Sequence, residues 1–166
     1  MKGKNVKEML SELKDLCVLS VDLAYCAILF GSKEIAKEVM HIEEEADKLR
    51  DEIEKETLKA AKHEKAKELM GLLRLATSSE MITDISAEIV KELLEGTAVH
   101  EVERKALNDA KEKFFMQKIN RAVIVKEIEE KHKADVLAVK RKNKWIYKPK
   151  AETILVKGDL VIALRP

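Results

Sequence analysis

Apolar residues recur every three to four positions as far as Glu95 and at alternate positions from Asp135 onward, so the chain reads as long helices followed by strands. The first predicted helix runs from about Lys4 to Phe30 and stops at Gly31-Ser32, where Ser32 suits the N-cap of a second helix reaching roughly Lys62. That second helix carries an apolar row at Ile35, Val39, Ile42, Ala46, Leu49 and Ile53, the four-and-three spacing of packed antiparallel helices. The third runs from about Glu64 to Glu95 and ends at Gly96, with a row at Leu72, Leu75, Ser79, Ile82, Ser86, Ile89 and Leu93. A secondary row of Leu73, Ala76, Thr83, Ala87 and Val90 lies beside it, interrupted by Glu80. Short connections make the three helices, each about 40–45 Å long, an antiparallel bundle.

After Gly96, Thr97 suits the cap of a narrow amphipathic helix with Val99, Val102, Ala106, Leu107 and Ala110 on one side. Beyond it, FFMQKI suits a strand and AVIVKEIEEKHKA a short helix; DVLAVKRK and KWIYKP then form a hairpin turning at Asn143-Lys144. Pro149 interrupts pairing, and ETILV leads through a turn at Lys157-Gly158-Asp159 to a last strand, LVIAL. The expected class is α+β: a helical bundle over 1–96, a connecting helix over 97–113, and a small β-α-β-β-β domain over 114–166.

Charge divides at the same place. The formal net charge of +1 hides 19 Lys+Arg against 25 Asp+Glu in residues 1–113, and 13 against 6 in residues 114–166. With 38% charged residues, one Gln and four Asn, the composition is of the kind seen in hyperthermophile proteins. The basic residues are spread among strands with no aromatic platform, which argues against nucleic-acid binding. No nucleophile elbow, P-loop, dinucleotide-binding glycine motif or HExxH occurs, and a non-catalytic protein is expected. No leader pattern opens the chain, and the apolar run Cys17–Phe30 carries Asp22 and falls short of the ~20 residues of a membrane span, so a cytoplasmic protein is expected. Cys17 and Cys26 fall on opposite sides of one helix and read as buried free thiols; the four histidines lack a partner at ligand spacing and read as surface residues.

Two features of the helical half call for partners. Apolar residues surround the first helix between Cys17 and Phe30, which is more than one buried face requires, and a homodimer is expected to cover the rest. Helix two carries Glu43-x-x-x-Asp47 with Asp51 four further on, and helix three carries Glu80-x-x-x-Asp84 with Glu88 four further on. Each set shares a helix face, and its oxygens suit a divalent metal or iron; a Glu-rich helix also shows such spacings on any solvated face. Glu80, beside apolar positions, needs a partner: Arg74, a hydroxyl or a metal.

Three long helices with E-x-x-x-D on the second and third resemble the PhoU helical bundle, whose members carry two such repeats and bind metal clusters through acidic motifs. One repeat is present here, and two chains would restore the six-helix assembly. The resemblance implies Glu43, Asp47, Glu80 and Asp84 as metal ligands, and a role in phosphate transport or signalling.

The last fifty residues resemble the TrkA-C (RCK-C) regulatory domain of potassium-transport proteins. The resemblance is carried by Asp135–Arg141, Trp145-Ile146-Tyr147, Pro149, Thr153-Ile154-Leu155 and Gly158–Ala163; Arg121 and Ala122 stand where a Gly-containing loop is usual. It implies dimerisation, a membrane cation transporter or channel as partner, and a small anionic regulatory ligand, in some relatives a cyclic dinucleotide, facing Lys140, Arg141 and Trp145. The other reading is that Trp145 and Tyr147 pack onto the domain and the lysines are solvated.

Overall fold

Asn5 starts the first helix with a capping box: its side chain accepts the Glu8 N–H at 2.9 Å while the Glu8 carboxylate accepts the Asn5 N–H at 3.0 Å. This helix, α1 (Val6–Phe30), ends at Gly31 with φ +60°, and the Ser32 N–H reaches back to the Ala27 carbonyl at 2.9 Å. The Ser32 hydroxyl then accepts the Ile35 N–H and opens α2 (Lys33–Ala60). A turn over 61–65 leads to α3 (Ala66–Glu95), which closes at Gly96 with φ +100°. These details come from a computed structural model that describes residues 5–110 and 112–165; Lys4 and Lys111, which fall inside the sequence expectations, lie outside it. The protein is α+β, and its chain divides into two compact units, Met1–Arg104 and Lys105–Pro166. Among the described residues no helix is long and apolar enough to cross a membrane.

In the helical unit the expected row on α2 is buried along its whole length. On α3 the outcome differs. Ala76, Ser79, Thr83, Ser86, Ala87, Val90 and Leu93 turn inward, whereas Leu75 and Ile82 are exposed. The inner face thus draws on both rows, Ser79, Ser86 and Leu93 from the first and Ala76, Thr83, Ala87 and Val90 from the second, with small side chains prevailing along its middle. Cys17 and Cys26 are buried free thiols, as expected. Burial, and then the charge of Asp22, pushes the Cys26 thiol up to about 12.

The connecting helix is shorter than expected. α4 (Glu101–Asp109) has no buried residue, and Thr97 belongs to the end of α3, its N–H bonding the Glu92 carbonyl. His100 opens α4 instead, its Nδ1 accepting the Val102 N–H at 3.2 Å.

The second unit contains β1 (Lys113–Lys118), β2 (Val123–Ile124), α5 (Val125–His132), β3 (Asp135–Arg141), β4 (Lys144–Tyr147), β5 (Ile154–Leu155) and β6 (Leu160–Arg165). The larger sheet has the order β1-β6-β3-β4, antiparallel throughout; β2 and β5 form a separate two-stranded pair that the sequence pattern did not reveal. Val136, Val139, Val161 and Ala163 pack with Val125 and Ile128 of α5 and with Leu155. The hairpin turn is Lys142-Asn143, one residue earlier than expected, because Arg141 pairs with Lys144 and Lys142 takes φ +56°. Three histidines are exposed, but His132 is half-buried, its ring 4.9 Å from that of Phe115.

Two glycines separate conformational strain from contact. A Cβ would meet open space at both Gly31 and Gly71, yet only Gly31 has positive φ. Gly31→Ala is therefore expected to destabilise the chain by about 1 kcal/mol, and Gly71→Ala, inside α3, to stabilise it by a comparable ~0.5–1 kcal/mol, both read by urea unfolding.

Candidate functional site

The 61–65 turn makes α2 and α3 an antiparallel hairpin, so residues equally distant from it face each other. Asp47 and Glu80 form one such level, and Glu43 and Asp84 the next, one helical turn away. The buried row Ile42, Ala46, Leu49 and Ile53 fixes the rotation of α2 and leaves Glu43, Asp47 and Arg50 half-buried beside it. The four carboxylates singled out by the sequence thus line one seam. Burial, followed by the charges of Asp47, Asp84 and Glu44, raises the Glu43 carboxyl above its ordinary range. Glu80 is also raised, first by burial, then by a hydrogen-bonding carboxyl from Asp47 and the charge of Asp84, with Arg50 opposing. Towards the α1 end of α2 the seam opens into a groove of about 410 Å³ lined by Met40, Glu43, Asp84, Glu88 and Lys91.

Glu80 finds its partner in Arg50, not in Arg74, which is exposed. The Arg50 guanidinium lies 3.2 Å from Asp47, 3.3 Å from Asp51, 3.6 Å from Glu54 and 3.7 Å from Glu80, so it sets a cation from the neighbouring helix against Glu80. Its Nε is buried without a hydrogen bond. Arg50 is the residue that sequence reasoning missed, although its pairing with Asp47 and Glu54 follows from i,i+3 and i,i+4 spacing. Hard oxygen donors of this kind suit a divalent metal or iron. Among the described residues, however, no three His, Cys, Asp or Glu side chains are gathered as a ready metal cage, and Arg50 already answers part of the charge.

In the second unit, Lys140 and Trp145 face each other across the β3–β4 ladder, with the ammonium 6.0 Å from the ring centroid. Arg141, the next residue, points to the opposite face. Its guanidinium holds the Asp159 carboxylate through contacts of 2.7–3.2 Å and donates to the Ile154 carbonyl at 2.6 Å. Asp159 also accepts the Val156 N–H at 2.9 Å. The three residues expected to face a ligand are therefore not brought together: Lys140 and Trp145 form a surface pair, and Arg141 ties β3 to the β5–β6 connection. A separate recess of about 250 Å³ is flanked by Gln117, Asn120, Arg121, Glu127 and Lys131.

A helical hairpin with facing acidic motifs, completed by an apolar first helix and followed by a small sheet unit, defines a helical-bundle protein. The model of the PhoU domain matches residues 10–93, half of the chain, and the chain belongs to that family. The family is regulatory and non-enzymatic, which points to a role in regulating phosphate or ion transport. No curated protein matches the chain.

Burial alone would raise the Asp159 carboxyl, but the hydrogen bonds from Arg141 and Val156, and the Arg141 charge, hold it below the ordinary carboxylate range. Its stabilising contribution is present above about pH 4 and is lost as pH falls through the lower folded value. Asp159→Asn is expected to lower stability at pH 7 by about 1–3 kcal/mol and to remove this acid-sensitive component from a melting series between pH 2 and pH 7. Glu43 and Glu80 behave oppositely: with folded values raised, they favour the fold below about pH 4 and oppose it as pH rises through those values. Arg50→Met, which removes the cation opposing Glu80, is expected to cost about 1–2 kcal/mol at pH 7 and clearly less at pH 4 in the same melting assay.

Proposed function

We propose that the chain is a non-catalytic regulator of potassium or other cation transport, acting in the cytoplasm on a membrane transporter or channel. In this reading the helical unit pairs with a second copy, and the second unit is a TrkA-C-like domain that senses a small anionic ligand. The observation that carries the proposal is the joining, in one chain, of a PhoU-family helical unit to a separate basic sheet unit, and it is supported by that unit's sequence resemblance to the TrkA-C domain. The Lys140–Trp145 pair supports the ligand: an ammonium beside an indole face offers charge and a stacking surface to a base or phosphate. Ligand binding would favour one arrangement of the sheet unit, and the transporter would respond to that change of population.

The crowded carboxylates favour a second reading, a metal-binding regulator of phosphate transport or signalling. Raised Glu43 and Glu80 leave the seam short of positive charge even with Arg50 present. A metal bound by Glu43, Asp47, Glu80 and Asp84 would neutralise it, in competition with Arg50.

Melting of the whole chain separates the readings. A cyclic dinucleotide at about 100 times its dissociation constant should stabilise the chain by roughly 2.7 kcal/mol, and Lys140→Ala with Trp145→Ala should abolish the shift. Absence of any shift with cyclic dinucleotides counts against the ligand-sensing reading. Stoichiometric manganese or iron, found by elemental analysis and lost on mutating Glu80 and Asp84 to Ala, would favour the second.

A further inference from the structure

We infer that His132 is an acid-sensitive latch: while neutral it holds the last turn of α5 against β1, and protonation releases that turn. The placement begins in the sequence. Val125, Ile128 and His132 follow one another three and four residues apart, so the histidine takes the next position of the stripe that α5 buries. Val125 and Ile128 sit in the core of the sheet unit, and His132 meets its rim at Phe115, with ring centroids 4.9 Å apart. The Nε2 atom is shut off from solvent there and makes no hydrogen bond. A neutral imidazole tolerates that position at moderate cost, whereas an imidazolium would bring its charge into it without an acceptor.

The surroundings are cationic. Arg165 of β6 lies 6.0 Å from the Phe115 ring, and Lys131 precedes the histidine on α5. The carbonyl end of a helix ordinarily favours a charged histidine, but here Arg165 Nε already donates to the His132 carbonyl at 3.0 Å. Neighbouring carboxylates are engaged elsewhere. Glu129 accepts the Val136 N–H at 3.2 Å, Glu127 accepts the Ile124 N–H at the other end of α5, and Glu130 lies 3.7 Å from Lys126. Asp135, paired with Leu164, belongs to the opposite face of the sheet. Lys113 of β1, on the Phe115 face, donates to the Asn108 carbonyl.

Burial, followed by the charges of Lys131 and Arg165, lowers the imidazole below its ordinary value near 6.5. The detached turn therefore binds the proton more readily than the packed one. The latch is closed above about pH 6.5 and opens as pH falls through the lower folded value. Release uncovers the Phe115 end of the sheet core, which gives this unit a response to acidification that requires no ligand.

NMR of the full chain tests the latch. The His132 imidazole should titrate below about pH 6.5, and Arg165→Gln should move its midpoint upward. The Lys133 and Ala134 amides, both bonded to the Glu129 carbonyl, report the last turn directly. Their hydrogen exchange, corrected for its intrinsic pH dependence, should quicken about 3- to 10-fold between about pH 7.5 and pH 5. His132→Phe keeps an aromatic ring against Phe115 and cannot titrate, so exchange in that variant should stay level. If it fails to fold, His132→Leu gives the same reading. A His132 midpoint at or above about 6.5 overturns the latch. So does wild-type exchange that stays level, or exchange that quickens equally in the variant.

Discussion

The helical unit depends on the close approach of α1 and α3. It is possible because α3 turns Ala76, Ser79, Thr83, Ser86 and Ala87 inward while α1 supplies the large side chains of the core. Hydroxyls buried at such a contact need partners, and they have them: Thr83 bonds the Glu80 carbonyl, Ser86 the Ile82 carbonyl, and Ser20 both Ser86 and the Cys17 carbonyl. The arrangement has two consequences. Large apolar residues of α3 that find no room inside remain outside, beside an α1 that is apolar on more than one face. The carboxylates of α3 are rotated toward α2, where they meet carboxylates of their own kind.

That meeting is unfavourable by itself, and Arg50 makes it tolerable. Burial and like charge both raise Glu80, so a seam with no cation would hold its protons more tightly or attract another cation. Arg50 bridges three acidic residues of its own helix and one of the next, which converts repulsion into cross-helix attachment. A regulatory bundle that accepts metal would have to shift this arginine, so its position sets how readily the seam could respond to metal concentration.

Much of this was legible in the chain. The caps at Ser32 and Gly96 and the row on α2 followed from local chemistry, and the level pairing of Asp47 with Glu80 follows from the turn between their helices. On α3 the two rows merge into one inner face of mostly small residues while Leu75 and Ile82 stay exposed, because periodicity alone does not reveal volume. Arg50 was overlooked because its contact with Glu80 depends on helix register. In the sheet unit, alternation located β1, β3, β4 and β6, but two-residue strands such as β2 and β5 are too short to show a period. The turn falls one residue early because Arg141 pairs with Lys144 and Lys142 adopts the left-handed conformation.

Lys140 and Arg141 show how alternation distributes roles between neighbouring residues. On one face of β3, Arg141 is held by an almost fully buried Asp159 that also fixes the Val156 backbone, so it maintains the β5–β6 connection and has little freedom to follow a ligand. On the other, Lys140 lies against Trp145 of β4, its ammonium 6.0 Å from the ring centroid. Neighbouring residues of one strand thus divide between its two faces, Arg141 tying β3 to the β5–β6 connection and Lys140 packing across the ladder on Trp145.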